Sequence, residues 1–242
     1  MLKFNHKIGI TIPAYNESDN ILRLIKKIRQ YLNCLIVIVD DSNNFKTRDL
    51  INKSKFKNIK YFHRKKKLGR GSAVFMGFKK IMLLKKISCL IEMDADFSHN
   101  PNELKRNLNY FFKNSLDLLI ASRYLQKSKI INWPKSRKIL SKLSNILARL
   151  LLGVPVKDYT NGYRFYSINA ARTVTSKCNV SGGGFIILSE IILVLFTNNF
   201  KISEIKTVFK NRTRGESSVN LKLVMSSLIG LIKLYFAKIN RN

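Results

Sequence analysis

The 242-residue sequence predicts an α/β protein, a mostly parallel sheet with helices on both faces and amphipathic helices toward the C-terminal end. Three observations lead there. Apolar, β-branched runs alternate with segments of helical period, Pro, Gly, Asn and Asp punctuate the joins, and polar residues gather where the apolar runs stop. With 45% hydrophobic residues the chain can bury one substantial core.

The elements follow in order. Lys7 to Pro13 reads as a strand closed by proline, and Ser18-Asp19 as the cap of a helix with Ile21, Leu24, Ile25 and Ile28 on one face. Leu35 to Val39 is a strand ending at Asp40-Asp41-Ser42, Ile59 to His63 a short strand, Gly71 to Leu84 a helix, and Ser88 to Met93 a strand running into Asp94-Ala95-Asp96. A helix runs from Pro101 to about Phe112, and Asp117 to Ala121 is a strand ending in Ser-Arg-Tyr. In residues 138–151, Ile139, Leu140, Leu143, Ile146, Leu147, Leu150 and Leu151 form one helical stripe flanked by Lys138, Lys142 and Arg149. Residues 221–239 form a second basic amphipathic segment, and Phe185 to Phe196 is apolar apart from Ser189 and Glu190. The expected organisation is one main α/β domain over 1–220, including the helix at about 134–152, followed by a C-terminal basic helix over 221–242.

Tyr15-Asn16-Glu17, Asp40-Asp41, Asp94-Ala95-Asp96 and Ser122-Arg123-Tyr124 all follow apolar strands. In an open α/β sheet the carboxyl ends of strands are where ligands bind, so these segments predict one shared crevice.

Charge narrows the partners. Forty-five Lys and Arg against 14 Asp and Glu give a net charge of +31, which calls for an anionic partner: a phosphorylated substrate, a phospholipid surface or nucleic acid. A nucleic-acid reading is the distant alternative, because no aromatic-interleaved basic stripe or recognisable module accompanies the charge. The cluster Arg64-Lys65-Lys66-Lys67 reads as a solvated loop. Three separated cysteines fit a reducing compartment, no signal-peptide pattern opens the sequence, and no apolar run is long enough to span a bilayer, so a cytoplasmic protein is expected.

Two carboxylates one residue apart at a strand end can share a divalent cation, Mg²⁺ or Mn²⁺, while leaving coordination positions for phosphate oxygens. Nearby arginines would form the other half of a diphosphate clamp.

The segments IPAYNE (12–17), VDDS (39–42), DADFSHNP (94–101), ASRY (121–124), DYTNGYR (158–164) and NRTRGESS (211–218) resemble, in order and spacing, the family-two glycosyltransferases. The likeness is to the polyprenyl-phosphate sugar transferases typified by dolichyl-phosphate mannosyltransferase, and it covers about residues 7–220. It implies a Rossmann-like GT-A fold. It implies that Pro13, Tyr15, Glu17, Val39 and Asp41, with Asp94 and Ala95, line the nucleotide pocket, and that Asp94, Asp96 and Ser98 hold the metal. It further implies that Arg123, Arg137, Arg164 and Arg212 meet the donor diphosphate or the acceptor phosphate, with Asp94, Asp96, Arg123 and Arg212 carrying catalysis. Glu190 matches a family acid. Ser218 stands where a lysine usually follows GES, and Lys222 or Arg214 would have to supply that charge. The implied reaction is transfer of a hexose, mannose from GDP-mannose, to a polyprenyl or dolichyl phosphate with inversion. It would run at the cytoplasmic surface of an anionic membrane, where a membrane partner subunit is a further expected partner. A UDP-sugar such as UDP-glucose, or another acceptor, is the alternative.

Overall fold

A computed structural model describes residues 7–84, 87–178, 186–211 and 221–239. Its central seven-stranded sheet has the order β3-β2-β1-β4-β7-β5-β8, formed by β1 (Ile8–Ala14), β2 (Leu35–Asp40), β3 (Ile59–His63), β4 (Cys89–Glu92), β5 (Leu118–Ser122), β7 (Arg164–Ser167) and β8 (Ile202–Lys206). All run parallel except β7, which inserts antiparallel between β4 and β5. A separate two-stranded ribbon pairs β6 (Lys129–Ile131) with β9 (Val208–Lys210).

The period-two geometry of strands divides the core. Ile36 and Ile38 of β2 face α1 (Ser18–Arg29), α2 (Lys46–Lys53) and α4 (Leu104–Lys113), together with Ile10, Ile91 and Phe165. Leu35, Val37 and Val39 face the opposite layer, built from α3 (Arg70–Leu84), α5 (Lys135–Leu152), α6 (Ile168–Lys177), α7 (Ile186–Thr197) and α8 (Leu221–Ile239). Helix layers therefore cover both faces, as expected. α1 carries Ile21, Leu24, Ile25 and Ile28 into the core at 0% exposure. It starts at Ser18 with Glu17 at the N-cap, and no side chain caps it.

The stripe on α5 divides. Asn145, Ala148 and Leu152 are buried, with Leu147 and Leu151 partly packed, whereas Ile139, Leu143, Ile146 and Leu150 remain 46–75% exposed. α8 lies against α5 and α7, buries Leu231, and uses Lys238 Nζ to donate to the Leu152 carbonyl at 2.9 Å. No helix among the described residues is long and apolar enough to cross a membrane.

Topology positions the site. The chain winds from β1 outward to β2 and β3, then returns to add β4 on the other side of β1. Strand order reverses between β1 and β4, and a crevice at such a reversal is where open α/β sheets bind ligands.

Candidate active site

The turn after β4 is built by local hydrogen bonding. Asp96 Oδ1 accepts from the Ser98 amide at 3.0 Å, and Phe97 adopts φ +62°, a strained setting for a bulky residue. Ser98 Oγ is buried without a hydrogen-bond partner. Two carboxylates and an unpartnered hydroxyl on one tight turn form an all-oxygen donor set suited to a hard divalent cation whose remaining positions are filled from outside the protein. Among the described residues, no group of three His, Cys, Asp or Glu side chains converges as a ready-made metal site.

His99 anchors this turn. Its Nδ1 accepts the Asp94 amide at 3.0 Å, so its Nε2 carries the hydrogen donated to Asn161 Oδ1 at 3.1 Å. Burial, set against the neighbouring Asp94 carboxylate, holds the imidazole below its ordinary pKa and keeps it neutral. The ring stacks on Tyr163 at 5.1 Å, and Asn161 in turn donates to the Ala121 carbonyl. The carboxylate turn is thereby tied to the DYTNGYR segment and the end of β5.

Arg70, the first residue of α3, enters the same site, and nothing in the sequence singled it out. Its guanidinium reaches Asp94 Oδ1 through Nε at 2.8 Å and Nη2 at 2.6 Å, and donates through Nη1 to buried Glu92. Burial opposes its charge, but Asp94 and Glu92 outweigh that and hold its pKa above the ordinary range. Tyr166 donates to the other Glu92 oxygen at 2.8 Å.

The expected nucleotide side divides into available and committed groups. Tyr15 is 38% exposed beneath the Lys67 ammonium, 3.8 Å from the ring centre. Pro13 and Glu17 are half-buried at the end of β1, where Glu17 accepts from Asn20 at 2.7 Å. Val39 is fully buried in the core, so its side chain cannot line a pocket, and Ala95 is 3% exposed. Asp41 is buried and engaged by Arg64 at 2.5 and 2.7 Å and by the Leu68 and Gly69 amides at 3.1 and 3.2 Å. Arg64 therefore departs from the solvated loop expected for its cluster, while Lys65, Lys66 and Lys67 are exposed.

Two arginines expected at phosphates are occupied elsewhere. Arg123 donates through Nε and Nη2 to Asp158 at 2.8 and 2.7 Å and to Thr160 Oγ1 at 2.6 Å. Arg164 is completely buried, and its three nitrogens serve the Asn161, Leu188 and Tyr159 carbonyls. It opens a central strand, where no phosphate can reach it. Arg137 stacks 4.2 Å over Trp133 and donates to Asn211 Oδ1 at 3.3 Å. Trp133 packs between Arg123 and Arg137. Glu190 is half-buried on α7. Arg212, Arg214 and Ser218 lie outside the described residues, as does Gly182-Gly183-Gly184.

Comparison with known proteins accords with this geometry. The sequence pattern of Glycosyl transferase family 2 matches residues 10–175. Polyprenol monophosphomannose synthase of Mycolicibacterium smegmatis is 33% identical over 218 residues, spanning 87% of this chain and 80% of that protein. Dolichol-phosphate mannosyltransferase of Pyrococcus furiosus is 32% identical over 94% of this chain and 63% of its own length. Undecaprenyl-phosphate mannosyltransferase of Micrococcus luteus is 30% identical over 92% of this chain and 91% of its own. Among solved structures, glucosyl-3-phosphoglycerate synthase from Mycobacterium tuberculosis, crystallised with Mn²⁺, UDP and phosphoglyceric acid, superposes with a TM-score of 0.66 at 14% identity, covering 96% of this chain and 79% of that one. Mannosyl-3-phosphoglycerate synthase from Rubrobacter xylanophilus superposes with a TM-score of 0.66 at 12% identity, over 98% of this chain and 76% of that one. The sheet with its order reversal between β1 and β4, the carboxylate turn at that reversal and the matched pattern across most of the chain place the protein in glycosyl transferase family 2, as a glycosyltransferase.

Proposed function

We propose that the protein transfers mannose from GDP-mannose to a polyprenyl phosphate, inverting the anomeric centre, at an anionic membrane surface. The observation that carries the reading is the Asp94–Ser98 turn at the strand-order reversal, in a chain whose relatives are named for polyprenyl-, dolichol- and undecaprenyl-phosphate mannosyl transfer.

A polyprenyl monophosphate, with a second pKa of about 6, already carries its nucleophilic oxyanion at neutral pH, so the chemistry needs no dedicated base. The protein's contribution is orientation and electrostatics. Tyr15, Pro13 and Glu17 border the space for the nucleoside, and His99 and Asn161 hold the backbone of the carboxylate turn. Asp94, Asp96 and Ser98 would hold a divalent cation, Mg²⁺ or Mn²⁺. When bound, that cation supplies positive charge to the departing diphosphate. Arg137, with Arg212 beyond the described residues, is the arginine pair proposed for the phosphates. Arg123 supports the site through Asp158 and Trp133. The exposed apolar rows of α5 and α8, flanked by lysines, suit contact with the bilayer that contains the acceptor.

Asp96→Ala is expected to abolish transfer while leaving the fold intact by circular dichroism, at a cost in stability of about 1–3 kcal/mol because the Ser98 amide loses its acceptor. Near-normal turnover of this variant with a chelator present would sink the metal assignment. Mixing the protein with lipid phosphate and each sugar nucleotide, then identifying the released nucleotide, distinguishes the donors: GDP supports the proposal, and UDP would shift it to a glucose-type donor.

A further inference from the structure

Arg70 occupies an unusual position for a structural ion-pair residue. One edge of its guanidinium serves Glu92, which is 1% exposed, lies within the sheet and also receives the Tyr166 hydroxyl. The other edge serves Asp94, whose side chain is 30% exposed in the crevice. Both Arg70 nitrogens on that edge converge on one oxygen, Asp94 Oδ1, at 2.6 and 2.8 Å. The other oxygen, Oδ2, lies 3.7 Å from His99 Nε2, whose hydrogen is directed to Asn161. The lack of a side chain at Gly162 makes room for this arrangement: a Cβ there would stand 2.0 Å from Arg70 Nη2.

We propose that Arg70 is a built-in cation that competes with the divalent metal for Asp94, so that the site without nucleotide resists metal and accepts it once a diphosphate is present. The inference rests on the metal reading given above. A divalent cation at about 2.1 Å from Asp94 Oδ1 would need the region the two Arg70 nitrogens already fill, and its charge would be repelled by the guanidinium. A bound diphosphate changes both conditions. It adds negative charge that offsets the repulsion, and it offers the arginine fork a second anion, so that Asp94 can be released. Arg70 is in this sense a positioning residue, setting the order in which metal and nucleotide enter.

The test is Mn²⁺ binding, followed by loss of the free Mn²⁺ electron paramagnetic resonance signal, first without nucleotide and then with excess GDP. Arg70→Leu combined with Glu92→Gln removes the cation together with the buried charge it serves, and the glutamine carbonyl can still accept from Tyr166. Without nucleotide this variant is expected to bind Mn²⁺ about tenfold more tightly than the parent, and the gain should shrink when GDP is added. Affinity within about twofold of the parent, in a variant with a native circular dichroism spectrum, overturns the proposal. If the double variant fails to fold, Arg70→Lys decides by the same measurement. Its compact ammonium lacks the fork that seats two nitrogens on Asp94 Oδ1, so a gain of about threefold supports the competition and an unchanged affinity refutes it. Absence of Mn²⁺ binding by parent and variants alike, even with GDP, would defeat the metal reading and this inference with it. Equal binding by both would defeat this inference alone.

Discussion

Single residues in this site divide according to whether their charge is already committed. Arg123 and Asp158 are 7% and 0% exposed and joined by two charge-assisted hydrogen bonds, and Asp158 also accepts the Arg123 and Asn161 amides at 2.8 and 3.0 Å. Burial pushes the Asp158 carboxyl up, but Arg123 outweighs it and holds the group below the usual range. Removing one partner strands a buried charge, so Arg123→Ala should destabilise the protein by about 3–5 kcal/mol, whereas exposed Lys65→Ala should change it by less than about 0.5 kcal/mol. Urea titration of the two variants checks this, and a stable, inactive Arg123→Ala would instead return that arginine to the substrate. The sign of the acid response follows from the same pair. The folded-state pKa of Asp158 lies below its unfolded value, so its contribution is complete above about pH 4 and is lost as pH falls through the folded value. Acidification over that range should cost Asp158→Asn less stability than it costs the parent. Asp94 and Asp96 were legible in the sequence because they follow an apolar run, whereas Glu92 and Asp158 were not singled out. Arg70, Asn161 and the anchoring role of His99 were not, because each acts across the fold: Arg70 meets Asp94 from 24 positions away and His99 meets Asn161 across 62.

At the scale of elements, α3 is the one whose placement couples the core to the site. It presses directly on β1, where a Cβ added at Gly77 would stand 2.3 Å from Thr11 Cγ2 and one added at Gly9 would stand 2.6 Å from Ile81 Cγ2. The same helix starts with Arg70, against Asp94. Gly77→Ala should therefore cost about 1–3 kcal/mol through overpacking, despite the better helix propensity of alanine, and a lowered melting temperature would show it. A rise would mean that Thr11 yields without moving the helix. β1 to β5 were legible because each is an apolar run with clear punctuation, and α1, α3 and α4 because they follow such runs. β7 was not. Its four residues, Arg-Phe-Tyr-Ser, start with a charged group that lies in the core only because three backbone carbonyls take its nitrogens. The three-residue strands β6 and β9 carry no period long enough to read, and α2 buries only Thr47 and Ile51.

Across the whole molecule, α5 and α8 pack together and each keeps an exposed apolar row with basic residues among it. Ile139, Leu143, Ile146 and Leu150 on α5 and Ile229, Ile232 and Phe236 on α8 are 44–75% exposed, with Lys142, Arg149 and Lys233 exposed among them. The sequence placed Leu147 in the same stripe as Leu143 and Leu150, but it packs inward while they stay exposed, so the informative substitution is Leu143 with Leu150. If this surface rests in a bilayer interface, its affinity has two parts: charge attraction of about 1 kcal/mol per basic residue near anionic lipid, which salt screens, and burial of leucine and isoleucine, which salt does not. The protein should then co-sediment with anionic vesicles, weakening as salt rises without being lost. Leu143→Asp with Leu150→Asp should leave the core intact, since both side chains are already in solvent, yet release the protein from vesicles. It should also depress transfer to a long-chain polyprenyl phosphate more than to a short water-soluble analogue. Unchanged sedimentation of the folded double variant would remove α5 from the interface and leave membrane attachment to charge alone.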